Sequence, residues 1–246
     1  LRVKEIKLIL NKMDVLIPLN IQTSWEYNEI KYCIRSLEKN LLDLDNIFVI
    51  GFLPNFLNKK IHYIPFDDPF KHNKDANIIR KVIKGISCGI SENFIRISDD
   101  QLLLKPIYSK DIKPLYKFDL KEYDFTKVNK WRNRLKNTRD ILIKEGKTTF
   151  NYDSHIPVVY NGKFFKDIYS KYNWAVEGEG YTINSLYFNN INCENIKMID
   201  EKIAFETPIE KEIENEIYLG YNNKGLTDKL KLVIENLFPN KSKYED

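Results

Sequence analysis

Short apolar runs alternate with amphipathic segments through the first hundred residues, and this alternation restricts the architecture more than any other feature of the chain. Met13 to Leu19 (MDVLIPL) is apolar at nearly every position and gives way to a polar loop at Asn20, the pattern of a strand buried on both faces. From Glu26 to Asn40, Ile30, Cys33, Ile34 and Leu37 recur at helical spacing with Lys31, Arg35 and Glu38 between them, which predicts an amphipathic helix. Ile47 to Ile50 (IFVI), punctuated by Gly51, closes a strand, helix, strand unit. Ile61 to Ile64 is a third candidate strand, and Pro65, Asp67, Asp68 and Pro69 force a loop after it. Ile78, Ile79, Val82, Ile83 and Ile86 predict a helix over Asp75 to Ile86, and Phe94 to Ile97 (FIRI) reads as the next strand. This order predicts an α/β, Rossmann-like fold with a mostly parallel central sheet, whose ligands sit beyond the carboxyl ends of the strands.

Past Pro106 the pattern becomes helix-rich. Lys127 to Lys147 is a candidate helix carrying eight basic residues (Lys127, Lys130, Arg132, Arg134, Lys136, Arg139, Lys144, Lys147), with Trp131, Leu135 and Leu142 as its apolar stripe. Glu179 to Asn189 and Leu226 to Leu237 read as further helices, Ile196 to Ile199 as a short strand, and Asp200 to Glu216 as an acidic segment. No repeat or low-complexity linker divides the 246 residues, so one domain is expected over 1–246.

Composition removes several classes of function. With 43% hydrophobic residues the chain can bury a sizeable core, which excludes a disordered tail. Thirty-nine Lys and Arg against 35 Asp and Glu leave a charge of +4, too small to make the whole surface a nucleic-acid or membrane binder. Cys33, Cys88 and Cys193 are few and far apart, which suggests neither a disulfide framework nor a structural zinc site and makes a cytoplasmic setting the expectation. No apolar run reaches the roughly 18 residues of a membrane span, and Leu1 to Asn20 lacks signal-peptide architecture.

The strongest chemical signal is FIRISDDQLLLKP, where a buried strand delivers Asp99 and Asp100 at its carboxyl end. Paired carboxylates there suit a hard divalent cation on a diphosphate, because Mg²⁺ takes one or two protein carboxylates and fills its shell with phosphate oxygen and water. The plain alternative is a turn after a strand. His155, near Asp153 in YDSHIPVVY, is a second metal or phosphate candidate, against the ordinary reading of a structural histidine. Glu177 and Glu179 lie among glycines before a predicted helix, where carboxylates also serve as plain helix caps.

The order of these segments over roughly 12–107 resembles glycosyltransferases of the GT-A fold, in which an acidic strand-end motif (DxD) holds a divalent metal on a nucleotide-sugar diphosphate. In FIRISDDQLLLKPI the likeness puts Asp100 on the second acid of that motif and Ser98, a departure, on the first. It implies Asp100, Asp99 and His155 as metal-site residues for Mn²⁺ or Mg²⁺. It further implies Pro18, Leu19, Asn20, Gly51, Phe52, Lys74, Asn77, Arg80 and Asp99 as contacts for the nucleotide-sugar donor, a UDP-sugar first. Glu179, Glu177 and Asp153, in that order, are the candidate bases for deprotonating an acceptor hydroxyl. Residues 1–107 would then bind nucleotide and 108–246 the acceptor, a glycan or, less expected, modified phage DNA. EIKYCIRSLEKNL, ISDD and HIP are also similar to blocks of the Stealth family of capsular-polysaccharide phosphotransferases, whose acidic first block is absent from DVLIPLN. That likeness implies transfer of a sugar phosphate. A third reading is a non-catalytic nucleic-acid or carbohydrate binding module using the basic helix and its aromatic neighbours.

Overall fold

The computed structural model describes residues 12–21, 24–127, 129–178, 180–198, 213 and 216–246. Its centre is a five-stranded sheet of order β3-β2-β1-β4-β7, formed by β1 (Met13–Leu19), β2 (Leu44–Gly51), β3 (His62–Pro65), β4 (Asn93–Arg96) and β7 (Val158–Asn161). The first four strands run parallel and β7 is antiparallel to β4, so the sheet is mostly parallel, as the apolar runs predict. β1 lies between β2 and β4, with Leu16 opposite both Phe48 and Arg96.

The pleat sorts β1 into two cores. Val15, Ile17 and Leu19 pack with Ile30, Cys33, Ile34 and Leu37 of α1 (Asn28–Asn40), whereas Leu16 packs with Ile79 and Val82 of α2 (Lys74–Ser87). Each helix therefore covers one face of the sheet, which is why the strand sequence lacks a polar alternation. Asp14, nearly buried at the opposite end of β1, accepts from Ser91 N and Oγ at 2.9 and 2.6 Å and from Asn46 Nδ2 at 2.9 Å. Burial works to raise its pKa, but these donors outweigh it and hold the carboxyl below its usual value.

After β4 the chain turns through Asp99 and Asp100 into β5 (Gln101–Leu103), which pairs antiparallel with β9 (Tyr218–Gly220) and is tied to α1 by Asn40 Nδ2 donating to Leu103 O at 2.6 Å. β6 (Leu115–Tyr116) and β8 (Ile196–Lys197) form a further short pair. α3 (Lys130–Lys144), α4 (Gly162–Tyr169), α5 (Ile183–Phe188) and α6 (Asp228–Leu237) complete the carboxyl-terminal part. α3 and α5 are shorter than the sequence pattern suggests: Asn129 caps α3 by accepting from Arg132 N, and α5 begins only after Thr182. The sequence pattern does not predict β7 and α4: strand and helix are both short and meet directly at Asn161, which caps α4 by accepting from Phe164 N. The central sheet thus takes a strand from each side of residue 107. Most of the acidic 200–216 segment lies outside the described residues. Among the described residues no helix is long and apolar enough to cross a membrane.

The carboxyl edge of the sheet is fixed where β1 and β2 end. Gly51 has φ +124, and a Cβ there would lie 2.0 Å from Leu19 O. Lys81, buried on α2, donates to Leu19 O at 2.7 Å and pairs with Asp68 at 2.8 Å, so its charge and the strand-end carbonyl are satisfied together. Gly51→Ala meets both a steric block and a positive φ. It is expected to cost on the order of 2–3 kcal/mol in urea unfolding, and an unchanged midpoint would contradict the close approach.

Candidate functional site

A crevice of about 330 Å³ opens beyond the carboxyl ends of β1 and β4. Pro18 and Asn20 come from the end of β1, Lys74, Asp75, Asn77, Ile78 and Lys81 from one face of α2, and Arg96, Ser98, Asp99 and Asp100 from the end of β4. Glu29 reaches in from the first turn of α1, Asp153 and His155 from the segment before β7, and Tyr221 from the end of β9. The strand-end position follows from parallel topology, because the chain must leave the sheet there on alternate faces and so opens a cleft.

Among the described residues six carboxylates line this space (Glu29, Asp68, Asp75, Asp99, Asp100, Asp153) against three permanent cations (Lys74, Lys81, Arg96). Burial, then the charges of Asp100 and Glu29, push the Asp99 carboxyl from 3.8 up to about 7. Burial also raises Glu29, with Asp100 adding to the effect, against backbone N–H donors that include Ser24 N at 2.9 Å. Tyr221 is buried, its hydroxyl has no hydrogen-bond partner among the described residues, and burial raises its pKa above the usual phenol value. On the far wall Arg134 pairs with Asp75 at 2.6 Å, and Trp131 Nε1 donates to Asp153 Oδ2 at 2.6 Å, so α3 orients both acids. Burial nonetheless keeps the Asp75 carboxyl above its ordinary value.

His155 sits at φ 56 with Nε2 at 3.1 Å from Asp100 Oδ2 and 3.1 Å from Tyr221 O. Both partners are acceptors, so Nε2 carries the proton and the imidazole orients Asp100. Gly220 makes this possible: a Cβ there would lie 2.6 Å from His155 O and 2.7 Å from its Cδ2.

Of the residues singled out in the sequence, Pro18, Asn20, Lys74, Asn77, Asp99, Asp100, Asp153 and His155 meet in this crevice. Leu19 does not, because the pleat turns its side chain into the core. Gly51 lies behind Leu19 O, and Phe52 stacks on Tyr27 with ring centroids 4.8 Å apart. Arg80 falls off the lining face of α2 and lies over the Phe66 ring at 5.2 Å. Glu177 accepts from the backbone of Lys71 at 3.0 Å and His72 at 2.7 Å, and so clamps the loop that leads into α2. Glu179 lies outside the described residues. Sequence reasoning missed Glu29, Lys81, Arg96 and Tyr221. Lys81 was within reach of it, since 74, 77, 78 and 81 share one helical face, but nothing local marks the other three.

The donor set fits a hard cation. Asp99 and Asp100 are adjacent, Glu29 adds a third negative charge, and the excess of carboxylate is what a divalent ion would relieve. Among the described residues no three His, Cys, Asp or Glu side chains form a closed ligand set, and a cation that shares its shell with phosphate and water does not need one. No protein-family model and no curated protein matches this chain.

Because Asp99 has a native pKa well above that of the unfolded chain, the stability it contributes is complete below about pH 4 and is lost as pH rises through about 7. In chelator-treated protein Asp99→Asn should therefore raise Tm at pH 8 by about 3 °C or more and leave it nearly unchanged at about pH 3.5. Equal shifts at both pH values would refute the proposed crowding of charge.

Proposed function

We propose that the chain is a metal-dependent glycosyltransferase of GT-A type, which moves a sugar from a nucleotide-diphosphate sugar to a hydroxyl acceptor. The observation that carries this reading is the placement of Asp99 and Asp100 at the carboxyl end of a parallel strand, in one crevice with Lys74 and the start of α2. A helix amino terminus and a lysine favour phosphate, while paired carboxylates favour the cation that accompanies it. Asp100 and Asp99 would hold Mn²⁺ or Mg²⁺, which when bound neutralises the departing nucleotide diphosphate. Pro18 and Asn20 border the donor, and Asn77, through Nδ2 to Phe70 O at 2.8 Å, keeps the approach to α2 in place. Across the crevice Asp153, oriented by Trp131, takes the proton of the acceptor hydroxyl as its oxygen bonds to the anomeric carbon and the bond to the diphosphate breaks.

A second reading is favoured by one further observation. The three segments similar to the Stealth family supply Glu29, the Asp99 and Asp100 pair, and His155 to the same crevice. In that case a sugar phosphate moves and the bond between the two phosphates breaks, so that a nucleoside monophosphate leaves in place of a diphosphate.

Thermal-shift measurements with uridine, guanosine, cytidine and adenosine diphosphates, with and without Mn²⁺, identify the donor base, because a ligand that binds only the native state raises its stability. Nucleotide-release assays with the matching sugar then separate the two readings by product. Asp100→Ala should lower turnover by about a hundredfold or more with an unchanged circular-dichroism spectrum. Unchanged turnover would overturn both.

A further inference from the structure

Among the described residues Arg96 is the one cation of the crevice with neither an ion pair nor a role in the proposed transfer. It closes β4, is 6% exposed and lines the crevice beside Ser98 and Asp99. Lys81 and Arg134 are each neutralised, by Asp68 and Asp75 respectively, but no ion pair between described residues includes Arg96. Its Nη2 donates to Ser98 Oγ at 2.8 Å, and its Nε is buried with no hydrogen-bond partner among the described residues. A buried guanidinium that has a hydroxyl for its nearest partner and one N–H unmet is costly to maintain, unless an anion completes it. Position 98 explains how the charge stays available. A carboxylate at this distance from the guanidinium would pair with it and cancel it, whereas the serine hydroxyl orients the fork and leaves a charge that Asp99 feels but does not pair with, open to a ligand.

We propose that Arg96, oriented by Ser98, is a phosphate-recognition residue that contacts an oxygen of the substrate's diphosphate. The assignment rests on reading the crevice as a diphosphate site. It gives the site a buried cation at its floor to set against the carboxylates that surround the phosphates, and it accounts for the serine where the GT-A resemblance would put an acid.

The test is isothermal titration of the full chain with inorganic pyrophosphate in the presence of Mg²⁺, a probe independent of base and sugar. Wild type should bind, Arg96→Gln should bind at least tenfold more weakly, and Arg96→Lys should fall between them because the charge remains but the fork is lost. Ser98→Asp is the decisive variant. It should set a carboxylate on the guanidinium and weaken pyrophosphate binding tenfold with an unchanged circular-dichroism spectrum, a combination that damage to the fold does not produce. Tighter pyrophosphate binding by Ser98→Asp would make position 98 a metal-binding position and overturn the assignment. Wild-type affinity in Ser98→Asp together with Arg96→Gln, or with Arg96→Lys should the glutamine variant not fold, would also overturn it while leaving the diphosphate site intact. Absence of pyrophosphate binding by the wild type would overturn the diphosphate site itself, and this assignment with it.

Discussion

Everything in this structure hangs on a strand that has apolar side chains on both of its faces. β1 cannot lie at an edge or face water, so it must be flanked by strands and covered by a helix on each side. Once α1 and α2 take those two places, their amino ends and the ends of β1 and β4 converge, and the crevice follows as a topological consequence. Lys81 secures that edge by spending a buried ammonium on the last carbonyl of β1, with Asp68 as its counter-charge.

The chemistry of the crevice is set by a concentration of like charge in a place with limited water. Burial, with neighbouring acids adding to it, raises Glu29, Asp75 and Asp99, and Asp99, pushed up to about 7, shows it most clearly. Four of the six acids have a specific relief. Asp75 has Arg134, Asp153 has the Trp131 indole, Asp68 has Lys81, and Asp100 faces the His155 imidazole. Those reliefs come from α2, α3 and the segment before β7, so the two halves of the chain build the site jointly. A division into a nucleotide part and an acceptor part is therefore a division of walls around one space.

Much of the sheet was legible because burial writes itself into local sequence. The bounds of β1 and the apolar stripes of α1 and α2 are visible in a window of a few residues. Asp99 and Asp100 were legible for the same reason, as acids at the end of a buried run. Within the loop after β1, Pro18 and Asn20 line the crevice and Leu19 does not, because only the pleat decides which of three neighbours faces the crevice and which the core. Arg80 failed similarly: at a helix start its charge suggested phosphate, but its turn of α2 carries it to Phe66. Glu177 was legible as a carboxylate near glycines, and its engagement with the Lys71 and His72 backbone depends on a contact across more than a hundred residues.

The alternation of buried strands and amphipathic helices, the mostly parallel sense of the sheet and the acids at the end of β4 are written in the residues themselves. These are short-range properties, set by side-chain periodicity and by where polar residues interrupt it. The folded chain alone sets which distant residues share the crevice. It brought Glu29 and Tyr221 beside Asp99, turned His155 onto Asp100 through the space left by Gly220, and left Arg96 buried with a serine for company. The physical reason is that electrostatic and hydrogen-bond partners are chosen by distance in space, over which sequence separation has no authority, whereas burial of a strand is a property its own residues must carry.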